Sequence, residues 1–177
     1  MEPKIRGFVR IPGVVWKGKI AITCDDLSAE TLYDGSFEFP QVKPGPHTVT
    51  AKAKGYKSQS KSVEVSSDEG ASVDFDLVEE EGTAKICGYV HDAETGKPVT
   101  QGHLSLNLPV ANKYVDIDGK GYYEFTGLVP DTYEIWVVPK GRFEEQKISV
   151  KVEEGEIKLQ DFHVRKPPRW MEREHPH

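Results

Sequence analysis

The sequence predicts an all-β chain of two tandem antiparallel β-sandwiches, with about seven strands in each. Three observations predict this fold class: an internal repeat, a strict alternation of apolar and polar residues, and turn signals at short spacing. No segment shows the 3.6-residue period of an amphipathic helix, so we expect very little helix. Since one sheet of this size would leave its apolar face in water, two sheets must pack together in each copy.

The repeat is visible in three pairs of short segments. They are residues 5–9 and 86–90, residues 35–39 and 121–125, and residues 42–45 and 128–131. The offset between the copies grows slightly along the chain, which indicates small insertions. We therefore predict one sandwich over residues 1–80, a second over residues 83–165, and an extended tail over residues 166–177. The short acidic junction, Glu79-Glu80-Glu81-Gly82-Thr83, should restrict how the domains orient.

Alternation assigns the strands and their buried faces. In one strand, His47, Val49, Ala51 and Ala53 alternate with polar residues, and residues 104–108 and 148–152 follow the same pattern. Turn signals separate these strands, at Asp34-Gly35, Pro44-Gly45-Pro46, Lys54-Gly55, Asp118-Gly119, Pro130-Asp131 and Lys140-Gly141. This spacing is typical of a sandwich.

Composition excludes several functional classes. The chain is 37% hydrophobic and 29% charged, as in globular proteins, and its net charge of −6 argues against nucleic acid as a partner. No apolar run approaches the ~20 residues of a membrane helix, so we expect no membrane insertion. The first residues lead into a strand pattern without a secretory segment. If the chain is complete, we expect a protein made in the cytoplasm, with a virion component as one option. If it is a fragment or processed form, we expect an extracellular or cell-surface protein.

The order of motifs in the second copy carries a family likeness. Its segments are 88–90, 95–99 (Thr-Gly-Lys-Pro-Val), 102–106, 118–125 and 128–133. This order resembles the carboxypeptidase regulatory-like domain, an Ig-like β-sandwich of the transthyretin-like type. The first copy keeps the opening strand, residues 34–39 and residues 42–47, but has residues 11–16 in place of the Thr-Gly-x-Pro-Val turn. The resemblance implies the fold; such domains are used as accessory, adhesive, structural and sugar-binding modules.

Two chemistries of related domains are not expected in this chain. Cna-B-like domains form an internal Lys–Asn bond with the help of a buried Glu, and the corresponding positions here are near Ala51 and Val137. Transthyretin-like hydrolases carry a His and Arg constellation with a fixed C-terminal motif, which this chain does not contain. Cys24 and Cys87 fall at non-equivalent places in the two copies, so we expect free thiols rather than a disulfide framework.

Candidate metal and catalytic residues each have a structural explanation. Residues 116–121 pass for a calcium loop, but the Glu that an EF-hand needs six residues past its Gly is replaced by Phe125, and a hairpin turn explains Asp-Gly. The six histidines show no metal spacing apart from His175-Pro176-His177, and His47, at the place of Tyr133, is expected to be a packed strand residue. No hydrolase or phosphate-binding motif is present. We predict no enzyme, catalytic residue, cofactor or metal.

Aromatic residues that face outward are the candidate contact residues. If Tyr133, Ile135 and Val137 point inward, Trp136 points outward, and the same alternation turns Tyr89 and Tyr122 outward. Trp16, in a loop that contains Gly and Pro, is a weaker candidate. These rings either bury against the other repeat or the tail, anchor a protein partner, or stack on sugar rings.

The sequence therefore predicts a non-enzymatic structural or interaction module that mediates protein–protein or surface attachment. One alternative is a carbohydrate-binding accessory module, which requires coplanar exposed aromatics beside polar side chains. Another is a virion or filament surface component, which requires a homo-oligomer or a repeating lattice. The partner is thus a protein or polysaccharide surface, and the second copy, with more outward aromatics, is the better place for the site.

Overall fold

The computed structural model describes residues 3–14 and 18–169, and these contain strands, turns and loops but no α-helix. Accordingly, no helix in the described part of the chain is long and apolar enough to cross a membrane. The chain divides into two compact units, Met1–Glu80 with Leu108–Ala111, and Glu81–Asn107 with Asn112–His177. Residues 108–111, expected in the second sandwich, group with the first unit because Val110 is fully buried in its core.

The first unit is a sandwich of two four-stranded sheets. Its strands are β1 (Ile5–Arg10), β2 (Ala21–Cys24), β3 (Leu27–Glu30), β4 (Ser36–Phe39), β5 (Gly45–Lys52), β6 (Gln59–Val65), β7 (Ala71–Ser72) and β8 (Phe75–Asp76). One sheet has the order β4-β1-β7, with β8 also paired to β1, and the other has the order β3-β2-β5-β6. Their inner faces bury apolar residues such as Ile5, Val9, Ile22, Val49 and Phe75.

The second unit repeats this topology strand for strand. Its strands are β9 (Ala84–Asp92), β10 (Gly102–Asn107), β11 (Lys113–Asp116), β12 (Tyr122–Leu128), β13 (Asp131–Pro139), β14 (Gln146–Val152), β15 (Ile157–Leu159) and β16 (Phe162–Val164). The sheets are β12-β9-β15, with β16 also on β9, and β11-β10-β13-β14. The prediction of an all-β chain of β-sandwiches is confirmed.

The sheets are antiparallel except at one edge of each unit. There the last two short strands run parallel to the first strand of the unit, β7 and β8 beside β1, and β15 and β16 beside β9. Each pair is one edge strand with an interruption, so the count is about seven strands. The edge strand starts beside the beginning of β1, as the pairing of Ile5 with Ala71 indicates, and therefore runs in the same direction.

The interruption explains the glycine that both copies have in their first strand. A Cβ on Gly7 would lie 1.6 Å from the carbonyl oxygen of Val73, and one on Gly88 would lie 2.1 Å from that of Gln160. The residue after each carbonyl is an aspartate, and its Oδ1 accepts a hydrogen bond from the strand, from Phe8 N in the first unit and from Tyr89 N in the second. The repeated glycine is therefore a requirement of close backbone approach.

Candidate functional site

Tyr89 and Tyr122 lie side by side on the outer face of the β12-β9-β15 sheet. They are directly opposite each other in the register of β9 and β12, and their ring centroids are 5.3 Å apart. Tyr89 is 42% exposed and Tyr122 is half-buried, whereas their neighbours Tyr123 and Val90 point into the core. The sequence predicted both rings on the outer face, and the structure also brings them into contact.

An ion pair borders the two tyrosines on the same face. Lys85 Nζ lies 2.7 Å from Glu124 Oε2, and the hydroxyl of Tyr122 donates a hydrogen bond to the same oxygen, also at 2.7 Å. Lys85 and then Tyr122 lower the pKa of Glu124, because both stabilise its carboxylate. The hydrogen bond to Glu124 in turn raises the pKa of Tyr122. Tyr122 is thus held in one orientation by a charged acceptor.

This carboxylate should make the stability of the second unit depend on pH. The folded-state pKa of Glu124 lies below its ordinary value of 4.5, so its contribution is present above that value and is lost as the pH falls through the lower folded pKa. We expect Glu124→Gln to flatten the acid limb of a plot of unfolding free energy against pH. Urea denaturation at a series of pH values measures this. Substitution of the exposed Glu154 by Gln serves as the matched control, and an equal change in both variants would contradict the assignment.

Two histidines extend the aromatic face along the sheet. The ring of His91 stacks against Tyr89 at 6.1 Å between centroids and against His163 at 5.7 Å. His163 lies opposite His91 in the parallel register of β16 and β9. The buried Nδ1 of His91 has no hydrogen-bond partner among the described residues. We call the four residues Tyr89, His91, Tyr122 and His163 the ring face.

Trp136 lies on the other sheet of the second unit, so it does not join the ring face. It is 39% exposed, as the alternation predicted for an outward residue. Its Nε1 donates a hydrogen bond to Glu134 Oε1 at 2.9 Å, and Lys147 Nζ lies 5.1 Å from the ring centroid. Lys147 also forms a 3.0 Å ion pair with Glu134. Two residues of the same sheet thus contact the indole, Glu134 at the edge that carries Nε1 and Lys147 over one face.

Other sequence candidates have structural roles or lie outside the described residues. Trp16 and the tail from Trp170 onward belong to the part that the structure does not describe. Asp118 Oδ1 accepts hydrogen bonds from the backbone N–H groups of Lys120 and Tyr122, and Asp34 Oδ1 accepts one from Ser36 in the first unit. Both aspartates therefore hold a tight turn, as expected of the Asp-Gly sequence. The prediction of a hairpin is wrong, because these turns join strands of different sheets, β3 to β4 and β11 to β12.

Cys24, Asp25 and His47 meet at one end of the first sandwich. His47 Nδ1 lies 2.5 Å from Asp25 Oδ2, and His47 Nε2 lies 2.7 Å from the carbonyl oxygen of Lys43. Because both ring nitrogens face acceptors, both donate. Asp25 accordingly raises the pKa of His47, and His47 lowers that of Asp25. The buried thiol of Cys24 has a raised pKa, chiefly through desolvation and then through the charge of Asp25.

Sequence reasoning did not connect these three residues, although the repeat contained the signal. The register aligns Ile22 with Leu104, since they pair with Ala51 and Val137 at equivalent places in β5 and β13. Cys24 and Asp25, two and three positions after Ile22, therefore correspond to Leu106 and Asn107. His47 corresponds to Tyr133, and its hydrogen bond to Lys43 matches the 2.8 Å bond from the Tyr133 hydroxyl to Val129 O. The copies thus differ together at three neighbouring positions.

The strand topology defines each unit as a two-sheet β-sandwich whose first strand pairs with an interrupted, parallel edge strand. Residues 5–78 match the family model of the carboxypeptidase regulatory-like domain. The matched range lies within the first unit, which extends over Met1–Glu80 together with Leu108–Ala111. The second unit, whose motifs carried the resemblance in the sequence, has the same strand order.

Solved structures with a similar arrangement include two pilins and a larger protein. The minor pilin of Streptococcus agalactiae is 11% identical, with 94% of this chain and 97% of that chain covered and a TM-score of 0.46. The shaft pilin SpaA of Lactobacillus rhamnosus GG is 8% identical, with 95% and 99% covered and a TM-score of 0.45. The Bacillus anthracis TIE protein is 16% identical, with 93% and 34% covered and a TM-score of 0.41, so this chain spans about a third of its length.

No curated protein matches the chain. Similarities as low as those to the solved structures carry no information on function, and the fold assignment rests on the strand topology itself.

Proposed function

We propose that this chain is a non-enzymatic structural or interaction module, and that it attaches to a protein partner through the ring face of its second unit. The observation that carries the proposal is the pair Tyr89 and Tyr122, in ring contact on an outer sheet face with Tyr89 42% exposed. A solvated sheet face does not require such rings, whereas tyrosine is enriched at protein contact surfaces.

The ring face suits this role better than Trp136. The indole of Trp136 already contacts Glu134 and Lys147 of its own sheet. In the ring face, the hydrogen bond from the Tyr122 hydroxyl to Glu124 fixes the Tyr122 ring. The more exposed ring of Tyr89 lies at the centre of this face. Rings that are fixed before binding lose little conformational entropy on contact, which favours them as anchors.

The carbohydrate alternative receives less support from the same geometry. The planes of Tyr89 and Tyr122 are inclined by 59°, so the two rings do not form a common flat platform for a sugar chain. The absence of catalysis is part of the proposal. It is supported by the chemistry of Cys24, whose buried thiol has a raised pKa and is therefore a poor nucleophile.

Site-specific photocrosslinking tests the proposal. A photoreactive phenylalanine analogue at position 89 is expected to give discrete adducts in the cells that make the protein. The matched control is position 8, because Phe8 takes the place of Tyr89 in the first unit and is 46% exposed. With the captured partner, Tyr89→Ser should weaken binding by about 2 kcal/mol or more, roughly 30-fold. A second copy of the chain as the adduct would indicate self-assembly, and equal adducts at positions 8 and 89 would refute the proposal.

A further inference from the structure

Three side chains with metal-binding atoms converge in the first unit, whereas the ring face belongs to the second. Cys24 ends β2, Asp25 begins the turn to β3, and His47 lies near the start of β5. Their potential ligand atoms, one thiol sulfur, one carboxylate oxygen and one imidazole nitrogen, all lie within 4.8 Å of one another. Cys24 is buried, His47 is half-buried and Asp25 is exposed, so the cluster runs from the core to the surface.

The second unit shows that the fold does not require these residue types. It has Leu106, Asn107 and Tyr133 at the equivalent places, in sheets of the same order and register. Leucine fills the core, and the tyrosine hydroxyl makes the backbone hydrogen bond that His47 makes in the first unit. The three ligand types therefore occur together in one copy and are replaced together in the other.

Hydrogen bonds to neighbouring backbone groups orient one ligand atom of His47 and one of Asp25 toward the cluster. His47 Nε2 donates to Lys43 O, which leaves Nδ1 toward the cluster. Thr48 N donates to Asp25 Oδ1 at 3.1 Å, which leaves Oδ2 toward His47 Nδ1. Hydrogen bonds of this kind, from a backbone group to the far atom of the side chain, orient histidine and carboxylate ligands in metal sites.

The backbone conformation of Asp25 sets the direction of its carboxylate. Its φ is +49°, and among the described residues it is the only non-glycine residue with a positive φ. Asp25 is the first residue of the two-residue turn between Cys24 and Leu27, and a positive φ is the usual geometry at this position of a hairpin. With this backbone conformation, the carboxylate of Asp25 lies near the end of β2, beside Cys24 and His47.

We propose that Cys24 Sγ, Asp25 Oδ2 and His47 Nδ1 bind a zinc ion in the first unit, which departs from the expectation of no metal. Thiolate and imidazole favour Zn²⁺ over Mg²⁺ or Ca²⁺, and three protein ligands leave a fourth position for water. Binding replaces the Nδ1 proton of His47 and the thiol proton of Cys24, so two protons are released. The thiolate and the carboxylate then neutralise the charge of the ion in this half-buried place.

Cobalt and zinc titrations of the full chain test this site. The protein is kept reduced with a phosphine and carries His175→Ala and His177→Ala, which removes the terminal histidine pair. We expect one equivalent of Co²⁺ to produce a thiolate-to-cobalt charge-transfer band and the visible bands of a tetrahedral site. Zn²⁺ should displace the cobalt and raise the melting temperature of the first unit.

The residues of the second unit supply matched variants. Cys24→Leu, Asp25→Asn and His47→Tyr should each abolish the charge-transfer band or weaken Zn²⁺ binding at least about 100-fold, as expected when a ligand rather than an outer partner is lost. Asp25→Asn keeps the test valid if a core variant fails to fold, because it is an exposed turn residue and Asn tolerates a positive φ. Cys87→Ser should leave binding unchanged. Binding without a thiolate band, unchanged affinity in Asp25→Asn, or loss of binding in Cys87→Ser would overturn the proposal.

Discussion

Gly88→Ala is expected to destabilise the second unit by about 3 kcal/mol or more, because the new methyl group has no space. Its Cβ would lie 2.1 Å from the carbonyl oxygen and 2.6 Å from the carbonyl carbon of Gln160, and both are backbone atoms. The edge strand would have to move away from β9. This movement would break the hydrogen bonds from Gln160 N to Cys87 O and from Tyr89 N to Asp161 Oδ1.

The measurement is urea denaturation followed by circular dichroism, with Gly119→Ala as the matched control. A Cβ on Gly119 would meet nothing within 4 Å, so this variant should be neutral or slightly stabilising. Gly7→Ala repeats the experiment in the first unit, where the corresponding distance to Val73 O is 1.6 Å. Gly88→Ala and Gly119→Ala of similar stability would show that the edge strand yields easily and that the close approach is not essential.

Tyr123→Ala should cost the second unit about 3–5 kcal/mol, since Tyr123 supports the same edge strand from inside the core. The side chain is 1% exposed, its ring packs 5.7 Å from that of Phe162, and its hydroxyl donates a 2.6 Å hydrogen bond to Gln160 O. Burial raises the pKa of Tyr123, so the phenol stays protonated and remains a donor.

Tyr123→Phe separates the hydrogen bond from the packing. It should cost about 1–1.5 kcal/mol, the usual value for one buried hydrogen bond. The first unit has Phe37 at this place, so the phenylalanine ring is compatible with the fold. The unfolding free energies come from the same urea titrations. A loss in Tyr123→Phe as large as that in Tyr123→Ala would mean that the hydroxyl, and not the ring, holds the edge strand.

Much of the fold followed from local patterns. Alternation gave the buried faces of strands such as β5 and β13 because successive side chains of a strand point to opposite sides. The repeat gave the number of copies, and the Asp-Gly sequences gave the turns at Asp34 and Asp118. That these turns join strands of different sheets, rather than form hairpins, did not follow from them. The parallel direction of the edge strand did not follow. Residues 73–77 alternate between apolar and acidic side chains, but alternation indicates a buried face and not the direction of a strand.

The candidate site was predictable only in part. The outward direction of Tyr89, Tyr122 and Trp136 depends on strand alternation, so the sequence was sufficient for it. Their grouping depends on which strands become neighbours. The pairing of β9 with β12 joins Tyr89 to Tyr122, while Trp136 lies on β13 of the opposite sheet.

The sequence by itself determined the class of fold and the repeat, because hydrophobic period and turn residues are properties of short stretches of chain. The glycines at positions 7 and 88 are visible in the sequence, but only the structure shows why glycine is needed there. At each position, a backbone carbonyl of a strand far away in the sequence leaves no space for a Cβ. Only the tertiary structure brought Cys24 and Asp25 to His47, since a pairing between β2 and β5 sets that distance. Functional groups separated along the chain become a site only when strand pairing fixes their geometry.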